Sequence, residues 1–142
     1  MATVKINGLE GLQQKMSNLS SELSREIKLL VLDSATQIEL DAVGAAPIGI
    51  KQLIDKQAVN NGLGAEVGVT GSNLIPIYVE FGTGTDAASY VPTLPKDVQA
   101  VARSYYINGK GTIKKQPYLF PAFFRESPKF IEELKKLLNA KI

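Results

Sequence analysis

From Leu9 to Ala42 apolar residues recur every three or four positions: Leu9, Leu12, Met16, Leu19, Leu23, Ile27, Leu30, Val31, Ala35, Ile38 and Ala42. That spacing gathers them into one stripe of a helix. Lys15, Glu22, Arg25, Glu26, Asp33 and Glu39 fill the opposite face. A stripe of this length needs a core to lie on, or a partner helix along its seam, and the two are compatible. Ser17, Asn18, Ser20 and Ser21 are weak helix formers and are expected to bend or break the element. Gly44 and Pro47 are expected to end it.

Around this helix the chain reads as smaller pieces. Thr3 to Ile6 alternates as a short strand does, and Asn7-Gly8 is a turn signal. Ile50 to Val59 and Ala65 to Val69 have a period near two, separated by Asn60-Asn61-Gly62, whose residues tolerate positive φ. They predict two antiparallel strands joined as a hairpin. Leu74 to Phe81 is apolar around Pro76 and fits either a short helix or an extended segment, with Gly82 to Asp86 as a loop. Residues 85–115 read as an excursion, polar and interrupted by Pro92, Pro95, Gly109 and Gly111. Within it Val98, Val101, Ala102 and Tyr105 have helical spacing, and Ile107 to Ile113 suggests a hairpin tip. Pro117 to Pro121 is expected to be extended. Ala122 to Phe124 is a possible helix start, whereas Ser127-Pro128 reads as a cap with proline in the first turn. Phe130, Ile131, Leu134, Leu137 and Leu138 then form an apolar face.

The fold class expected is therefore α+β. A long N-terminal helical region and a C-terminal helix pack on a small antiparallel sheet, in a single domain over 1–142. Its parts are 1–46 (strand and helical region), 47–84 (hairpin and the segment after it), 85–115 (variable loop) and 116–142 (C-terminal helix). A chain of 142 residues suits one such domain.

Composition restricts the chemistry. There is no cysteine and no histidine. Disulfides, thiolate metal sites, cysteine nucleophiles, Ser-His-Asp triads and histidine metal motifs are all excluded. No apolar run near the N-terminus suggests a secretory signal, and no stretch of about 18 apolar residues is present to span a bilayer. The expectation is a soluble protein made in a cytoplasm, with no membrane partner. A net charge of +2 does not mark a nucleic-acid binder.

The remaining candidates are weak as catalytic sites. Gly82-Thr83-Gly84 and Gly109-Lys110-Gly111 lack the spacing of a phosphate-binding loop and read as turns. Glu132 and Glu133 are neighbours on a helix among lysines, hence a solvated face. Glu80 stands between Val79 and Phe81 in an apolar run. A buried carboxylate there would either titrate high or accept hydrogen bonds from the Gly-Thr-Gly turn just after it. The structural role is preferred. No catalytic, cofactor-binding or metal-binding residue is assigned.

Three segments together carry a resemblance. The long helical region runs into Ala45-Ala46-Pro47 and Gly49. Next comes Tyr78-Val79-Glu80-Phe81-Gly82-Thr83-Gly84, and last Pro117-Tyr118-Leu119-Phe120-Pro121-Ala122. In this order they resemble the tail-completion, or neck, family of long-tailed double-stranded DNA phages. The chain departs from that pattern at Pro47-Ile48-Gly49-Ile50-Lys51 and at Gln116, where the family often has an acidic-Thr-Gly run and an arginine. The resemblance implies a non-enzymatic virion protein at the head–tail joint, assembled in the host cytoplasm. It implies a homo-oligomeric ring of six or twelve subunits between a head connector or adaptor and the tail terminator or tube, with genome DNA passing transiently through the lumen. Tyr78, Glu80, Phe81, Gly82, Thr83, Gly84, Pro117, Leu119 and Pro121 form its structural motif.

Tyr90, Arg103, Tyr105, Tyr106, Lys110, Lys114 and Lys115 make the 85–115 segment a candidate docking loop, because tyrosines carry large contact area with a polar tip. The same basic stretch, 96–115, supports the rival reading of a small nucleic-acid-binding module. An enzyme using carboxylate or lysine chemistry is a third and weaker alternative.

Overall fold

The computed structural model describes residues 3–6, 21–104, 111 and 113–141. The apolar positions Leu9, Leu12, Met16 and Leu19, the Asn7-Gly8 turn and most of the expected 107–113 hairpin tip lie outside the described residues.

The stripe becomes helix α1, Ser21–Ala45, which buries Leu23, Ile27, Val31, Ser34, Ala35, Ile38 and Ala42. These positions follow the helical period closely, so one face is almost wholly removed from water. Its final carbonyls need donor partners. Lys51 supplies one, donating from Nζ to the Val43 carbonyl at 3.0 Å. Pro47 then leads into a single turn, α2, Ile48–Lys51.

Strands β1 (Thr3–Ile6), β2 (Ile54–Val59) and β3 (Gly64–Val69) form one antiparallel sheet in the order β1-β3-β2. Thr3 pairs with Gly68 and Ile6 with Ala65; Ile54 pairs with Val69 and Val59 with Gly64. The hairpin turns through Asn60 and Asn61, both at positive φ, as their residue types suggested. Ala65, Val67 and Val69 share a face by the two-residue period of a strand, all three are buried, and α1 packs against β2 and β3.

Three further helices follow: α3 (Ile75–Phe81), α4 (Gly84–Tyr90) and α5 (Lys96–Ser104), with a 3₁₀ turn at Val91–Thr93. The last helix, α6, runs from Phe120 to Lys141 and packs along α1. Phe130 and Leu134 are buried at this contact, while Ile131 is 48% exposed. Ser34 on α1 donates to Glu126 on α6 at 3.1 Å. The architecture is α+β, as expected.

Two expectations need correction. Residues 85–104 are not a loop excursion. They form α4, the 3₁₀ turn and α5, and they place Ala87, Val91, Val98 and Ala102 in the core. Pro92 lies in the first turn of the 3₁₀ segment, and Pro95 precedes α5, its carbonyl accepting from the Gln99 amide at 2.9 Å. Ser127-Pro128 is also not the start of the last helix. Both residues lie inside α6, where the Ser127 hydroxyl donates to the Phe123 carbonyl at 2.8 Å. The helix starts earlier because its first amides find an acceptor elsewhere in the fold.

Candidate functional site

That acceptor is Glu80. Asn73 opens α3 by accepting the Ile75 amide at 3.0 Å, and Pro76 sits in the first turn, where its missing N–H is not needed. Helical spacing then puts Pro76, Ile77, Glu80 and Phe81 on the buried face. Glu80 is 2% exposed. Its Oε1 accepts from the Leu119 amide at 2.7 Å and, with a longer contact of 3.4 Å, from the Tyr118 amide. These amides lead directly into the first turn of α6, so Glu80 caps that helix across 39 positions of sequence. The expected donors, the amides of the Gly-Thr-Gly turn, are engaged otherwise: the Gly82 amide donates to the Tyr78 carbonyl and the Thr83 amide to the Ile113 carbonyl.

Around this cap, residues 113–119 run as an extended strap along α3 and α4. Thr83 and Ile113 exchange bonds: the Thr83 amide donates to the Ile113 carbonyl at 2.9 Å, and the Ile113 amide donates to the Thr83 hydroxyl at 2.8 Å. The Gln116 amide donates to the Val79 carbonyl at 2.7 Å. The Lys115 amide donates to the Asp86 carboxylate, and Lys115 Nζ lies 3.6 Å from the same group. Lys115 Nζ also sits 5.2 Å from the Tyr90 ring centroid, a cation–π geometry. At the end of the strap the Tyr118 hydroxyl donates to the Pro76 carbonyl at 2.8 Å. The Phe81 and Phe120 rings close the junction, their centroids 5.5 Å apart.

Gly82 makes the close approach possible. Its φ is 79° and its ψ 178°, and an added Cβ would lie 2.7 Å from an Asp86 carboxylate oxygen and 3.1 Å from the Lys115 nitrogen. Only glycine passes here without displacing the strap.

The expected motif residues therefore meet. Glu80, Phe81, Thr83 and Leu119 are buried, Tyr78, Pro117 and Pro121 are half-buried, and Gly84 opens α4 at positive φ. The candidate docking residues do not form one surface. Tyr90 is half-buried beneath Lys115, and Lys115 is held by Asp86. Arg103 is exposed on α5, donating to Gln99 at 3.3 Å, and Lys114 is exposed on the strap. Tyr105, Tyr106 and Lys110 lie outside the described residues. Asp86 and Tyr118 were missed as members of the site. The spacing of Asp86 four residues after Gly82, at the start of a helix, was the available signal for the first.

Burial raises the Glu80 pKa to about 7 from 4.5, against the opposing pull of the Leu119, Tyr118 and Phe120 amides. Burial, and secondarily the Glu80 charge, pushes the Tyr118 and Tyr90 phenols up as well. Among the described residues no group of His, Cys, Asp and Glu is arranged to hold a metal, and no helix is long and apolar enough to cross a membrane.

A second feature lies between α1 and the hairpin end. It is a groove of about 440 Å³ lined by Leu29, Leu32, Ala58 and Ala65 with Arg25 and Lys28 on α1. Leu29, Leu32 and Leu40 on α1 and Ile48 on α2 are all exposed.

Comparison with protein families, with curated proteins and with solved structures finds nothing that matches this chain.

Proposed function

We propose that this chain is a structural subunit of a phage virion, a tail-completion component that forms a ring at the head–tail joint through which DNA passes. The observation that carries this reading is the junction built by Glu80. The two short runs that bear the resemblance, Tyr78 to Gly84 and Pro117 to Ala122, are far apart in sequence yet fold into one hydrogen-bonded unit. A paired motif that is also a paired structure is a more specific feature than two separate short runs. The role is structural rather than catalytic, and Glu80 has a structural use in it.

A ring subunit also needs apolar surface for its neighbours. The exposed Leu29, Leu32, Leu40 and Ile48 offer such surface outside the core. Its partners would be further copies of itself, six or twelve in the ring, with the head connector on one side and the tail on the other.

Native mass spectrometry over a range of protein concentrations tests this. The expected result is a discrete species at six or twelve subunits. A chain that stays monomeric at every concentration overturns the ring reading. If that monomer binds short duplex DNA with a steep salt dependence, the reading passes to the nucleic-acid-binding module.

A further inference from the structure

The two oxygens of Glu80 have different surroundings. Oε1 takes the Tyr118 and Leu119 amides, whereas Oε2 is buried with no hydrogen-bond partner among the described residues. The titratable groups facing the carboxylate are the phenols of Tyr118, on the strap, and Tyr90, on α4. The charged groups of this corner are otherwise occupied. Lys115 pairs with Asp86, and on α6 Arg125 and Glu126 turn to α1, toward Asp41 at 4.0 Å and Ser34 at 3.1 Å. A negative charge on Glu80 is balanced by backbone amides alone. A proton placed on Oε2, by contrast, displaces no donor, and Oε1 keeps both of its bonds.

We propose that Glu80 is a proton-operated latch: protonated, it holds the strap 113–119 and the start of α6 closed on α3, and ionised, it favours release of the strap so that the carboxylate reaches water. The closed form keeps the proton to about pH 7, while a carboxyl released to water loses it near 4.5. Between these values the closed form binds more protons than the open one, so opening releases a proton and is favoured as pH rises. The latch is fully effective below about 4.5 and weakens up to and through about 7. This holds whether or not the chain forms a ring.

The readout is hydrogen exchange at the Leu119 amide, the strongest bond to Glu80, corrected for the intrinsic pH dependence of exchange. In the wild-type chain the opening equilibrium should rise on the order of 50-fold between pH 5 and pH 8. Glu80→Gln keeps an acceptor oxygen and has no titrating proton, so its opening should be flat over the same range. A wild-type profile that is flat, or a Glu80→Gln profile with the wild-type slope, overturns the proposal. Should Glu80→Gln not fold, Tyr118→Phe takes its place: it retains Glu80, so it must keep the wild-type slope while opening more readily at each pH. A flat profile in Tyr118→Phe would overturn the latch equally.

Discussion

Replacing Gly82 by alanine tests the junction with the smallest possible change. Two terms add. The backbone lies at φ 79° and ψ 178°, a region nearly closed to residues with a Cβ, which costs about 1–3 kcal/mol. The new methyl would stand 2.7 Å from the Asp86 carboxylate oxygen and 3.1 Å from the Lys115 nitrogen. Asp86 must then swing away from the Lys115 amide. A hydrogen bond to a charged group is worth about 1.5–3 kcal/mol when buried, and partial exposure of both side chains reduces that to about 1 kcal/mol. The expected total is about 2–4 kcal/mol, or a fall in melting temperature of roughly 6–15 °C for a domain of this size. Urea unfolding with an unchanged slope measures it. Repeating the substitution in an Asp86→Ala background separates out the carboxylate term, since the backbone part and the 3.1 Å approach to the Lys115 nitrogen should remain. Gly44→Ala is the control: no atom lies within 4 Å of its added methyl, it sits in the last turn of α1, and it should stabilise by about 0.5–1 kcal/mol. If Gly82→Ala costs less than about 1 kcal/mol, the close packing of the strap on Gly82 is wrong. If it costs the same with and without Asp86, the carboxylate part is wrong.

Three other substitutions probe the same architecture. Tyr118→Phe removes the donor to the Pro76 carbonyl and should cost about 1–2 kcal/mol in urea unfolding, whereas no loss would mean that the carbonyl is satisfied without the phenol. Leu134→Ala, at 7% exposure on the α1–α6 contact, should cost about 2–5 kcal/mol, and a value near zero would show that this face is not packed. Pro128→Ala restores an amide inside α6 and should raise stability by about 1–3 kcal/mol, a gain that would be missing if α6 began at Ser127.

The elements that were legible in the sequence are those whose burial follows a period. The α1 stripe is dense in large apolar residues, and only one helical face can hold Leu23, Ile27, Val31, Ile38 and Ala42 together. The β2–β3 hairpin was marked by alternation and by Asn60-Asn61-Gly62, and β1 by four alternating residues. In residues 85–104 α5 showed in the helical spacing of Val98, Val101 and Ala102, but α4 was hidden for a physical reason. These residues bury mainly small side chains, Ala87, Val91, Val98 and Ala102, which leave a weaker apolar pattern than the large residues of α1. Pro92 and Pro95 look like breakers only when their position relative to a helix start is unknown.

Glu80 was legible in half. A carboxylate one helical turn beyond Pro76, flanked by Ile77 and Phe81, is carried to the buried face once α3 is a helix. Its donors were not legible, because backbone amides have no sequence signature and these lie 38 and 39 positions away. The same gap explains why Ser127-Pro128 competed as a start of α6 with Ala122 to Phe124, which lies near the observed start at Phe120. Ser127-Pro128 has the chemistry of a cap, and a helix beginning there would need one, since its first amides would otherwise be exposed or unpaired. Glu80 moves that requirement upstream by accepting the amides before Phe120, so the chain enters the helix about two turns earlier and Ser127 is left to bond back to Phe123. A local cap therefore defines a helix start only when no residue from elsewhere in the fold reaches the preceding amides, and in this protein one carboxylate does.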